Sequence, residues 1–272
     1  MEIKRYRKHA RALYRLFSWG LSALSGVKPL FRLALRILTG RSRHIRGHVL
    51  PVNRSLGEAA QTALSRDVLA GLIARSTAVG AMNECLCRAV GGCTDYPADL
   101  GCLLLGDAVR ELHPGLGREV SRQEALNRVD RALALNLTPM IIHFKSDAVL
   151  WSLDHSRMLT ICFCCPCHCL IREAVGSRSA PSANLTGLPG VTVALQPDKC
   201  TGCGRCRAAC FLGALHMEQG KPAIDETRCV ACGRCAMACP HGALTVKARC
   251  AVDAAPVARE YEQRTKQGRV FF

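Results

Sequence analysis

Eight cysteines in two short runs carry the first chemistry this sequence can do. Cys200, Cys203, Cys206 and Cys210 are spaced C-x2-C-x2-C-x3-C, and Cys229, Cys232, Cys235 and Cys239 repeat that spacing 29 residues later. The repeat runs from Cys200 to Met217 and from Cys229 to Val246, with Gly204-Arg205 in register with Gly233-Arg234. Thiolates are soft ligands, so this density points to iron–sulfur clusters or zinc rather than to magnesium or calcium. Structural zinc prefers paired C-x2-C knuckles, and a run of three cysteines with a fourth three residues on suits a single tetrahedral ion poorly.

The tandem run resembles the bacterial dicluster ferredoxins, and the resemblance covers residues 193–250. It implies two 4Fe-4S clusters that pass single electrons. The first three thiolates of each run wrap one face of a cube, while the fourth opens a helix that points away and serves the other cube. The resemblance therefore implies one cluster on Cys200, Cys203, Cys206 and Cys239, and a second on Cys229, Cys232, Cys235 and Cys210. Gly202 and Gly204, with Ala231 and Gly233 in the second repeat, are small where backbone amides must approach inorganic sulfide. Phe211 stands where the second repeat has Pro240, a departure that leaves the cysteine register intact. Short strands are expected at Val191 to Leu195, Ala214 to Met217, Pro222 to Ile224 and Leu244 to Val246, with Gln219-Gly220 as a tight turn. Residues 193–250 carry eight basic and four acidic side chains, a net +4, whereas many ferredoxins of this kind are acidic. That charge implies a redox partner with an acidic docking surface.

Nine further cysteines precede this module: Cys85, Cys87, Cys93 and Cys102, then Cys162, Cys164, Cys165, Cys167 and Cys169. Cys250 stands alone. Three readings of the nine stay open: one or two additional iron–sulfur clusters, zinc with His168 as a nitrogen ligand, or redox-active thiols. A cluster with only three cysteine ligands would leave an iron free to bind substrate. Asp99 is placed to cap a helix carrying Cys102 near its start. His113, His143, His155, His216 and His241 are scattered singly and read as surface or packing residues. No phosphate loop, dinucleotide fingerprint or serine nucleophile constellation is present.

The elements that must position these residues give an α+β fold class. Residues 1–47 hold twelve Lys/Arg against Glu2, which is +11 of the formal +16. Leu13, Leu16, Phe17, Leu24 and Val27 recur at helical spacing, so this stretch reads as a basic amphipathic arm that lies on an anionic membrane surface, docks on a partner subunit, or packs as an ordinary basic face. Arginines interrupt it too often for a membrane span, and no nucleic-acid motif accompanies the charge. Residues 48–175 read as a cysteine-rich mixed α/β domain: helices over Gly57 to Met82 and Asp99 to Leu112, a capping box Ser121-Arg-Gln-Glu124 opening a helix to about 136, and strands at Met140 to Phe144 and Met158 to Cys162. Residues 176–192 read as a linker, 193–250 as the dicluster domain and 251–272 as a polar, mobile tail. Such tight cysteine groups without a clear secretory signal place the chain in a reducing cytoplasm, with the inner membrane face open to it through the arm. The function expected is electron transfer to a redox enzyme. The alternatives are a reductase whose N-terminal cluster is catalytic and a docking module whose metals, zinc among them, are structural.

Overall fold

The computed structural model describes residues 12, 46–52, 63–169, 171–172, 185–249 and 253–272. Helices and strands mix throughout them, as an α+β chain requires. Most of the basic arm lies outside the described residues, although Arg46–Val49 forms the first strand, β1.

Seven strands make the central sheet. After β1 come helix α1 (Ala63–Arg75), strand β2 (Val79–Met82) and the short helix α2 (Leu86–Gly91). Strands β3 (Leu103–Leu105) and β4 (Gly117–Glu119) follow, then helix α3 (Arg122–Ala134), strand β5 (Thr138–His143), helix α4 (Lys145–Trp151), strand β6 (Leu159–Cys164) and strand β7 (Leu185–Gly187). The sheet order is β4-β2-β3-β6-β5-β1-β7, antiparallel except for the β1–β7 pair.

Strand alternation explains the sequence here. Leu103 and Leu105, Ile141, and Leu159, Ile161 and Phe163 face the core that α1 and α3 cover. Met140, Ile142 and Cys164 take the opposite face. The helix expected to α1's C-terminal side, up to Met82, is instead a buried strand, because Val79–Met82 is apolar on both faces and short. The helix expected over Asp99 to Leu112 is likewise replaced by β3 and a 3-10 turn at Asp107–Glu111. Asp99 therefore caps no helix carrying Cys102; its carboxylate instead meets Arg131 at 3.2 Å. Half of the capping box forms: Ser121 Oγ accepts from Glu124 N at 3.1 Å, while the Glu124 carboxylate pairs with Arg118.

Strands β8 (Val191–Leu195) and β11 (Leu244–Ala248) pair antiparallel, and β9 (Leu215–Glu218) with β10 (Lys221–Ile224) forms a hairpin. Its turn residues Gln219 and Gly220 both have positive φ, 47° and 77°, as a two-residue hairpin loop requires. Helices α5 (Arg205–Ala209) and α6 (Arg234–Met237) each begin just after a left-handed glycine, Gly204 and Gly233.

Two boundaries differ from the sequence reading. Within the expected linker, Leu185–Gly187 is β7, hydrogen-bonded beside β1, and Val191 opens β8. The tail is built in as well: helix α7 (Ala254–Glu262) packs on α1, and Val270 and Phe271 are each 1 % exposed. The polar count hid an apolar stripe of Ala254, Val257, Ala258 and Tyr261, which fills the core beside β5. Tyr261 Oη donates to the Ile141 carbonyl at 3.2 Å.

Candidate metal centres

Helices α5 and α6 bring the repeated cysteines into two cavities. Cys200, Cys203, Cys206 and Cys239 line one; Cys210, Cys229, Cys232 and Cys235 line the other. Each cavity thus takes three thiols from one repeat and the fourth from the other. Left-handed backbone at Gly202 (φ 73°), Gly204 (71°), Ala231 (49°) and Gly233 (75°) shapes the loops that carry them. Burial pushes the Cys232 thiol up to about 11, and the Cys206, Cys229 and Cys235 thiols also rise. Burial thus disfavours the thiolate at these four, so the pockets suit a group that binds thiolates and repays their desolvation.

Residues 193–216 and 222–245 each match the 4Fe-4S binding domain family. Residues 193–245 are a dicluster ferredoxin module. Its two motifs carry two 4Fe-4S clusters, and the cavities fit them: four thiols in each and small residues at the loop turns. No curated protein and no solved structure matches the chain.

The module is docked on the central sheet. Val52 N donates to the Cys232 carbonyl at 3.0 Å. Arg234, 3 % exposed, donates from Nε to Thr138 Oγ1 at 2.8 Å and from Nη2 to the Cys164 carbonyl at 3.2 Å. Gly187 lies so close to the Val230 backbone that an added Cβ would meet the Val230 carbonyl at 2.7 Å.

The nine N-terminal cysteines fall into two groups. In the first, side-chain hydrogen bonds link Cys85 with Cys87 and Cys164 with Cys169, and the two pairs form a ring near enough for Cys87 and Cys169, and Cys85 and Cys164, to feel one another's charge. Cys162 touches Cys164, and Cys102 Sγ donates to Cys162 Sγ at 3.5 Å. Hydrogen bonds from Cys162 and Cys169 hold Cys164 well below the ordinary thiol range. A hydrogen bond from Cys87 brings Cys85 to about 7 against the effect of burial. Two members of the ring are thus biased toward the thiolate that metal takes.

Sequence reasoning overlooked Arg88, the residue that frames this group. It is 1 % exposed and donates to the carbonyls of Pro97 (3.0 Å), Phe163 (2.8 Å) and Leu100. Burial opposes its charge, but the facing sulfurs of Cys85, Cys102, Cys165 and Cys164 outweigh that and raise its pKa. A buried cation needs a compensating anion, and the sulfurs provide it. An arginine directly after C-x-C was the available signal.

The second group is Cys93, Cys165, Cys167 and His168, whose ligand atoms all lie within 4.8 Å of one another. Cys93 follows α2, and the other three follow β6. No described helix is long and apolar enough to cross a membrane.

Proposed function

We propose that this chain transfers single electrons along a line from the ferredoxin module to a third iron–sulfur centre held by Cys85, Cys87, Cys164 and Cys169. When bound, each cluster supplies a one-electron couple. The observation that carries the reading is a shared apolar core. Cys164 and Cys169 are buried in the same hydrophobic cluster against which Cys210, Cys229 and Cys232 pack. Dry, contiguous packing of this kind excludes solvent between two redox sites. Arg88 supports the same assignment, since a thiolate-held cluster is an anion able to balance its buried charge.

Iron and sulfide quantification of anaerobically purified protein tests the proposal. About twelve irons per chain are expected, with about eight remaining in Cys164→Ser, since a cube holds four. About eight in the unaltered chain would confine electron chemistry to residues 193–245. Paramagnetic resonance of the dithionite-reduced protein adds a second readout, because a third reduced centre beside the Cys229 set broadens its signal by spin–spin interaction.

At the other end, Arg205 and Arg207 are exposed beside the Cys200 cavity and suit an acidic electron partner. Electron delivery should then slow as ionic strength rises, since steering is screened over roughly 8–10 Å. The basic arm provides a second docking element, for an anionic membrane surface or a partner subunit. Removing residues 1–45 spares β1 and should abolish co-sedimentation with anionic vesicles or the partner while iron content is unchanged; unchanged co-sedimentation removes the docking role.

A reductase reading rests on its own observation, the thiol pair Cys102 and Cys162 beside the proposed third centre. Reduction of a small acceptor by the reduced protein, lost in Cys102→Ser with iron retained, would support it.

A further inference from the structure

The geometry points to a single zinc ion held by Cys93, Cys165, Cys167 and His168, a closed structural site separate from every iron–sulfur centre of the chain. Four ligand atoms all within 4.8 Å of one another stand near the spacing of a single ion, whereas the thiols of the first group meet only in pairs. In a four-iron cluster each thiolate sits on a different iron, which sets the sulfurs on the order of 6 Å apart. A tetrahedral ion with zinc–sulfur bonds of about 2.3 Å draws its sulfurs to about 3.8 Å. Cys93 Sγ and Cys167 Sγ already stand at 3.4 Å. Small adjustments of the remaining side chains complete the tetrahedron.

The chemistry of the four donors agrees with the spacing. Three thiolates and one imidazole form a familiar closed donor set for zinc. His168 Nδ1 is buried without a hydrogen-bond partner, a polar atom that needs something to bind. The ring is seated by a missing side chain: a Cβ on Gly91 would meet His168 Cγ at 2.9 Å. His168 N also donates to Cys165 Sγ at 3.2 Å, the kind of amide support a thiolate ligand takes from its own loop. On binding, the three thiols release their protons to solvent and no electron moves.

The site would pin two segments far apart in sequence. Gly92, left-handed at φ 67°, turns the chain out of α2 and delivers Cys93 to the loop after β6. Cys164 and Cys169 flank that loop on either side. An ion here would hold the loop's conformation. Zinc binding at this position does not depend on the third iron–sulfur centre.

Metal analysis of the full chain, purified anaerobically and loaded with iron and sulfide, tests the inference. One zinc per chain is expected, falling roughly tenfold or more in Cys93→Ser and in His168→Ala while iron is unchanged. Iron falling with Cys93→Ser, and no zinc in the unaltered chain, would assign these residues to a cluster instead. Should the variants fold poorly, cobalt loading of the unaltered chain remains decisive: tetrahedral thiolate-cobalt absorption, displaced by added zinc with cluster absorption intact, supports the site. Absence of that absorption, or a Cys93–Cys167 disulfide in protein kept under reductant, overturns it.

Discussion

Arg234 donates from Nη2 to the main-chain carbonyl of Cys164 at 3.2 Å, tying the start of α6, between Cys232 and Cys235, to the strand that ends at Cys164. Its counterpart in the first repeat, Arg205, is exposed. Replacing Arg234 by alanine removes the hydrogen bonds of a buried cation to Thr138 and the Cys164 carbonyl and should cost about 2–4 kcal/mol of unfolding free energy. Arg205→Ala should cost less than about 0.5 kcal/mol. Denaturant melts of the paired variants measure the contrast, and equal costs would mean that the docking seen at Arg234 contributes nothing.

The crossed cavities predict crossed losses. Cys239→Ala should deplete the cluster of Cys200, Cys203 and Cys206, and Cys210→Ala that of Cys229, Cys232 and Cys235. Resonance spectra of the reduced variants, with iron counts about four lower in each, provide the check. If each substitution emptied the cavity of its own repeat, the crossed ligation would be wrong.

Gly202 is harder to replace than its neighbour Gly204, although both are left-handed. A Cβ on Gly202 would meet the Gly220 carbonyl at 2.6 Å, whereas one on Gly204 meets nothing within 4 Å. Gly202→Ala should therefore destabilise by about 1–3 kcal/mol more than Gly204→Ala does. Thermal melts of the two iron-loaded variants measure it.

Asp107 accepts from Arg157 Nε and Arg269 Nη1, both at 2.8 Å. Burial pushes its carboxyl up, but the two guanidinium groups outweigh that and hold it below the usual carboxylate range. A depressed pKa means stability that is fully present above the ordinary carboxylate value near 4 and lost as pH falls through the folded one. Asp107→Asn should lower stability at pH 7 by about 2 kcal/mol and flatten the acid limb below pH 4. Denaturant midpoints against pH test both parts.

The C-terminal residues should behave as core. Ending the chain after Gly268 removes Val270 and Phe271, each 1 % exposed, and the β-bridge of Phe271 to Ser76. Losing those two side chains should cost about 3–6 kcal/mol. A truncated chain with an unchanged melting temperature would contradict this packing.

Much of the module was legible because its determinants are local. Three residues between thiols decide which of them can face one cavity, and a 29-residue repeat shows the pattern twice. Strands β8 to β11 and the Ser121 helix cap follow from the same short-range rules. Helix α1 was overextended, and β3 misread as helix, because a run such as Leu103-Leu104-Leu105, buried on both faces, has no period to read.

By itself, then, the sequence determined the two ferredoxin motifs, since the backbone over ten residues leaves C-x2-C-x2-C few ways to fold. Which of the nine earlier cysteines stand together was decided by the tertiary structure alone. Pairing of β3 with β6 sets Cys102 beside Cys162, 60 residues on, and the turn at Gly92 sets Cys93 beside Cys167, 74 residues on. Partition at that range depends on sheet register and core packing, energies summed over many distant contacts, and no spacing along the chain encodes them.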